Sequence, residues 1–408
     1  MIAFVPLSGQ SVSTVFVRLR DPIMKLQSKL PALGTTIFSQ MSQLAAEHQA
    51  INLSQGFPDF PSNSRLIELL AESAREGLNQ YAPMPGVLAL RQQISTLVKR
   101  CYQRDICPEQ QVTVTSGATE ALFVAIQALV RAGDEVIVFD PAYDSYQPAV
   151  ELAGGFTVHV PLLPPLYQVD WAQLEKQISK KTRLIIVNSP HNPTGAVFSH
   201  QDWLSLQALV LKHRLYCISD EVYEHLVFDG EPQLSANQYP ELADRTVIVS
   251  SFGKTFHVTG WKLGYAVASA ELTTEFRKIH QYVTFSSFTP AQHAIAQLLI
   301  EQPTEVYELA AFYQQKRDQF RLGLADSAWS LLPCRGSYFQ LADYSAFSDL
   351  DDVAFCQWLT REHKVAAIPL SVFYRQPPSQ RIIRFCFAKE PQTLALATEI
   401  LCQLSVLR

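Results

Sequence analysis

Between about residues 110 and 270, short β-branched runs alternate with longer stretches of helical pattern, and this alternation restricts the fold more than any other feature of the chain. The runs read as strands at 111–115, 135–139, 157–160, 184–188, 216–219 and 246–250. Between the first two lies ATEALFVAIQALVR (118–131), whose apolar residues suit a buried helix. Strands separated by helices are the pattern of βαβ units. They imply a large α/β domain with a mainly parallel, mixed sheet between layers of helices. Ligands of such sheets bind at the carboxyl ends of the strands, so the residues found there carry the functional reading.

The rest of the chain is organised differently. A long amphipathic helix is expected over 305–325, with shorter strands at 337–341 and 382–387 and helices at 351–362 and 391–404. Residues 25–60 and 300–408 are therefore expected to form a smaller α/β domain beside a large domain of 61–299. Residues 1–24 are read as an extension that is disordered or takes no part in the fold. With 408 residues, the chain is long enough for two such domains. The net charge of −5 gives no electrostatic footprint for nucleic acid or an anionic membrane, so small molecules and other protein chains are the expected partners. Seven scattered cysteines with no CxxC pair argue against a zinc site or a disulfide framework. No metal is expected. No run reaches the ~18–20 apolar residues that cross a bilayer, and a cytoplasmic location is expected.

The strand ends are rich in functional groups. After 111–115 comes Ser116-Gly117-Ala118-Thr119-Glu120, a small-residue turn opening a helix. Its free amides and the helix dipole suit a phosphate, although small residues at such a turn serve tight packing equally well. Strand 184–188 runs into Ser189-Pro190-His191-Asn192-Pro193-Thr194-Gly195, a rigid turn that fixes Asn192. Strand 216–219 ends in Asp220-Glu221-Val222-Tyr223. An acid at the end of an apolar strand needs a cation or several hydrogen bonds, and a helix cap by Asp220 is the competing reading. Strand 246–250 leads into Ser251-Phe252-Gly253-Lys254, with Lys262 eight residues on. A lysine held among small and aromatic residues is open to desolvation, which favours the neutral, nucleophilic amine. At 381–384, Arg381 and Arg384 fall on opposite faces of a strand, so only one of them can enter a cleft.

Taken together, LGTTIFSQMSQLA, INLSQGFPDF, NQYAPMPG, SPHNPTG, SDEVYEHLVF and SSFGKTFHVTGWKLGY resemble one family from about residue 28 to the C-terminus. It is the class I/II aminotransferases of the aspartate aminotransferase superfamily (fold type I), and the nearest likeness is to its methionine and kynurenine aminotransferase branch. The resemblance implies pyridoxal 5′-phosphate as cofactor and a homodimer with active sites at the subunit interface. By the same resemblance, Lys254 holds the cofactor as an imine and shuttles a proton, while Asp220 pairs with the pyridine nitrogen. Asn192 and Tyr223 bond the ring oxygen, and Tyr143 stacks on the ring. Gly117, Ala118 and Thr119, with Ser250 and Lys262, bind the phosphate, which Tyr81 reaches from the neighbouring subunit. Arg384 anchors the substrate carboxylate, assisted by the Gly56 amide and with Asn192 nearby.

The implied reaction moves an amino group from an apolar or aromatic L-amino acid, methionine first, to a 2-oxo acid by a ping-pong route. Phe57, Tyr81, Tyr143, Phe285 and Phe288 are candidates for the aromatic wall of the substrate pocket, and no second arginine is evident to select a dicarboxylate. The alternatives are a cysteine-conjugate β-lyase using the same residues and a kynurenine or aromatic aminotransferase. A binding protein that keeps the fold without activity is disfavoured by the presence of Lys254. An NAD enzyme is disfavoured by the lack of a G-x-G-x-x-G turn.

Overall fold

A computed structural model describes residues 26–405. The expectation for residues 1–24 lies outside the described residues. The chain divides into two compact units at Leu33/Gly34, and everything below concerns the second.

Its first strand, Ile51–Asn52 (β1), pairs in parallel with a two-residue strand from the far end of the chain. The main sheet follows: β2 (Val112–Thr115), β3 (Glu135–Asp140), β4 (Phe156–Pro161), β5 (Thr182–Asn188), β6 (Tyr216–Asp220), β7 (Thr246–Ser251) and β8 (Gly264–Val267). Their order is β2-β8-β7-β6-β5-β3-β4, parallel except at β8, which runs antiparallel to both neighbours. The six expected strands are all present to within a residue or two, while β8 is absent from the sequence reading. It is only four residues, Gly-Tyr-Ala-Val, and directly follows the Lys254–Lys262 loop, so neither length nor alternation marks it.

Both faces of this sheet are buried, which is why its strands read as continuous apolar runs. Val136, Val138, Ile218, Val247 and Val249 pack on one side with the helix Ala118–Leu129. Ile137, Phe139, Cys217 and Ile248 face the other side and join the larger core. Fully burying side chains of this size contributes ~1.5–3 kcal/mol each.

The last strands are β9 (Ser330–Leu331), β10 (Phe339–Asp343), β11 (Val365–Ala366), β12 (Ile368–Pro369) and β13 (Ile382–Cys386). An antiparallel sheet of order β12-β13-β10-β9 results, while β11 is the partner of β1. Arg384 sits in the middle of β13, opposite Leu341 of β10 and Ile368 of β12. The expected long helix is Glu305–Gly323, and those near 351 and 391 are Asp352–His363 and Pro391–Cys402. Among the described residues, no helix is long and apolar enough to cross a membrane.

Candidate active site

Three strand ends of the main sheet meet because of one glycine. Gly264 opens β8 between Thr115 of β2 and Ser251 of β7. A Cβ there would lie 2.6 Å from the Ser250 carbonyl oxygen and 3.1 Å from the Ala118 amide nitrogen, so no larger residue fits. The close approach brings the Gly117 turn against the Lys254–Lys262 loop. Gly117 has φ +82° and ψ 170°, a region essentially reserved for glycine, and it precedes the helix Ala118–Leu129 with no side chain capping it. That helix therefore presents open amides and its positive end. Lys262 stands beside the turn, with Nζ 3.6 Å from where a Gly117 Cβ would be.

These groups line a cavity of about 320 Å³. Gly56, Gly117, Ala118, Thr119, Tyr143, Asn192, Asp220, Tyr223, Lys254, Lys262 and Arg384 all contribute to its wall. Of the residues singled out from the sequence, Ser250, Tyr81, Phe57, Phe285 and Phe288 do not. Ser250 lies behind the cavity wall. Side chains alternate along β7, and its Oγ turns to the buried Glu224 carboxylate while the adjacent Ser251 lines the cavity. Phe57 is 45% exposed and packs beneath the Lys389 ammonium, so it is not part of the wall. Tyr81 is 80% exposed, edge-on to Phe285, and Phe288 is also half-exposed. The aromatic side chains that line the cavity are Phe38, Tyr143, Tyr223 and Phe339.

Lys254 Nζ donates to the Gly56 carbonyl oxygen at 3.2 Å. Burial lowers its pKa to about 8, and Lys262 and Arg384 press the same way against the opposing pull of Cys386 and Asp220. Asp220 ends β6 in register with Asn188 of β5. Its Oδ2 accepts from the Tyr146 hydroxyl at 2.6 Å and Oδ1 from the Val222 amide at 3.4 Å. Burial raises this carboxyl to about 6 in spite of both bonds. Asn188 ties the strand ends together: Nδ2 donates to the Asp220 carbonyl and Oδ1 accepts from the Asn192 amide, each at 2.8 Å. Tyr223 is buried, which holds its hydroxyl well above the usual tyrosine range.

Arg384 is 1% exposed. Nη1 donates to Asn192 Oδ1 at 2.7 Å and Nη2 to the Ser54 carbonyl at 3.1 Å, and its buried Nε has no partner. Phe339, Phe373 and Phe38 surround the guanidinium at 3.9, 5.3 and 5.6 Å. Burial brings its pKa down to about 10. Arg381, on the opposite face, pairs at the surface with Asp349.

Sequence reasoning missed Asn188, Tyr146, Ser251, Phe38 and Phe339. Alternation along β7 and the position of Asn188 at a strand end were available signals. Phe38 and Phe339 arrive from distant segments with no local mark.

An open helix terminus beside a lysine, a buried carboxylate, a desolvated amine and an underbonded arginine in one cavity define a site for a phosphorylated cofactor and a carboxylate substrate. Residues 48–401 match the model of aminotransferase class I and II, and the chain belongs to that family. It is 54% identical to a methionine aminotransferase of Escherichia coli over 93% of this chain and 98% of that one. A crystal structure of an Escherichia coli methionine aminotransferase, 54% identical, superposes with a TM-score of 0.92 over 93% of this chain and all of that one. Kynurenine–oxoglutarate transaminase 3 of Rattus norvegicus is 36% identical over 92% of this chain and 89% of that protein. The chain is thus a pyridoxal-phosphate-dependent aminotransferase of fold type I, as the sequence resemblance implies. The residues present fit the cofactor: the uncapped helix amides and Lys262 suit its phosphate, and the buried Asp220 carboxylate suits a cationic ring nitrogen.

Proposed function

We propose that this enzyme takes the amino group of an apolar or aromatic L-amino acid, methionine first, and delivers it to a 2-oxo acid in two half-reactions. The observation that carries this reading is the meeting of Lys254, Asp220 and Arg384 on one cavity walled by Phe38, Tyr143 and Phe339. The name of the Escherichia coli relative supports methionine, and that of the Rattus norvegicus relative supports kynurenine or another aromatic donor as the second choice.

Pyridoxal phosphate, when bound, supplies an aldehyde to take the amino group and a ring to hold electrons released at the substrate Cα. Lys254 would hold it through Nζ, and the same amine would carry the proton at the substrate Cα. A depressed pKa suits a base working near neutrality. Asp220 would keep the ring nitrogen protonated. The amides at Gly117, Ala118 and Thr119 would bind the phosphate with Lys262 and Ser251, and Tyr143 would cover the ring. Asn192 gives Oδ1 to Arg384, which would leave its amide N–H for the ring oxygen, and Tyr223, held neutral by burial, would be a second donor. Arg384, at the cavity wall, would take the substrate carboxylate with its planar guanidinium. Gly56 borders the same region.

The working unit is a homodimer. Tyr81 lies outside its own chain's cavity, exposed beside Phe285, as suits a residue that reaches a partner's site. A small domain of 25–60 and 300–408 beside a large one of 61–299 agrees with β1 pairing with β11 and with a second sheet built wholly after residue 329. Seven free cysteines are in keeping with the cytoplasm. The test is incubation of the purified enzyme with L-methionine and a 2-oxo acid. Exchange of amino and oxo groups is expected. Release of pyruvate, ammonia and thiol from a cysteine conjugate without exchange would instead mark a β-lyase.

A further inference from the structure

Tyr146 is buried at the start of the helix Tyr146–Leu152, three residues after Tyr143, and its ring stands edge-on to that of Tyr143 at 5.6 Å. Its hydroxyl gives Asp220 the shorter of the two hydrogen bonds its carboxylate receives. We propose that Tyr146 is a positioning residue that keeps the Asp220 carboxylate ionised and fixed at the cavity wall, so that cofactor retention at neutral pH depends on its hydroxyl. This rests on Asp220 being the partner of the ring nitrogen.

The reasoning is electrostatic. Taking a carboxylate out of water favours its neutral form, and a hydrogen bond to the ionised form opposes that. The titratable groups that face Asp220 are Tyr146, Tyr143, Tyr223 and Lys254. Burial and the Asp220 charge hold the Tyr146 hydroxyl far above its ordinary range, so it always acts as a donor. Tyr143 and Tyr223 are likewise kept neutral by burial. Lys254 is the one side-chain cation in the group, and a lysine holding the cofactor through Nζ would no longer offer a free ammonium there. The Val222 amide is at the edge of hydrogen-bonding distance. In the loaded enzyme, Tyr146 is therefore the protein's main donor to this carboxylate.

The test compares the wild type with Tyr146→Phe, which keeps the ring and removes the hydroxyl. Dissociation of pyridoxal 5′-phosphate is followed by equilibrium dialysis from pH 5.5 to 9. In the wild type, retention should weaken on acidification as Asp220 takes up a proton. In the variant this acid limb should move up by about one pH unit, with retention about twofold weaker at pH 7, close to tenfold weaker at pH 5.5, and convergence with the wild type at pH 9. A merely structural role would weaken retention equally at every pH, and that result would overturn the proposal. Adding Tyr146→Phe to Asp220→Asn should produce no further pH dependence, because the group whose charge it protects is gone. A shift that persisted there would also overturn it. A wild type retaining cofactor with an acid limb that Tyr146→Phe leaves in place sinks only the role of Tyr146. A wild type whose retention ignores pH, together with Asp220→Asn that retains cofactor as tightly, sinks the reading of Asp220 itself.

Discussion

Arg384 shows how much of a side chain's function depends on what surrounds it. A guanidinium this buried keeps its charge through two hydrogen bonds and three aromatic rings, while its Nε remains unpaired. Lysine keeps the charge and loses the planar fork, so Arg384→Lys is not a conservative change. We expect kcat/KM for L-methionine to fall by about 10²-fold, the consequence of losing ~2–3 kcal/mol of charge-assisted hydrogen bonding. Steady-state kinetics on the folded variant measure this, and an unchanged kcat/KM would remove Arg384 from substrate binding. Its direction into the cleft was legible in the sequence, because alternation forces Arg381 and Arg384 apart. The rings of Phe38 and Phe339 were not, since they lie some three hundred residues apart in the chain and meet only in the fold.

Among the elements, the strand-to-helix turn at Gly117 is where local backbone and chemistry coincide. Residues other than glycine avoid its φ and ψ at a cost of about 1–3 kcal/mol. Gly117→Ala should therefore lower stability by about that amount and weaken cofactor retention, because the open amides of the helix shift with the turn. Denaturant melts and dialysis against pyridoxal 5′-phosphate read the two effects, and a variant equal to the wild type in both would rule out the turn as the phosphate site. The strands were readable because burial on both faces makes each a continuous apolar run bounded by turns. The strand β8 was not, since four residues after a functional loop carry no period. The same parity rule that separates Arg381 from Arg384 also places Ser251, not Ser250, at the cavity wall.

Across the fold, the buried acids behind the site make stability depend on pH. Burial, reinforced by Glu224, raises the Glu221 carboxyl to about 8, and its Oε2 has no partner. Between its ordinary value of 4.5 and about 8, the folded chain holds a proton that the unfolded chain has released. The stabilisation is complete below that window and is lost as pH rises through it. Asp220, raised to about 6, acts in the same sense over a lower range. In the cofactor-free protein, the wild type should therefore lose more melting temperature between pH 5 and pH 9 than Glu221→Gln does, since His191 and His257, whose lowered values act in the opposite sense, are common to both. Parallel profiles would mean that Glu221 is already ionised in the fold. The central claim, however, concerns a single amine. Borohydride reduction of the cofactor-loaded enzyme, followed by peptide mass spectrometry, should find the reduced pyridoxyl group on Lys254 alone. An unmodified Lys254 peptide, or an adduct on Lys262 in its place, would contradict the account.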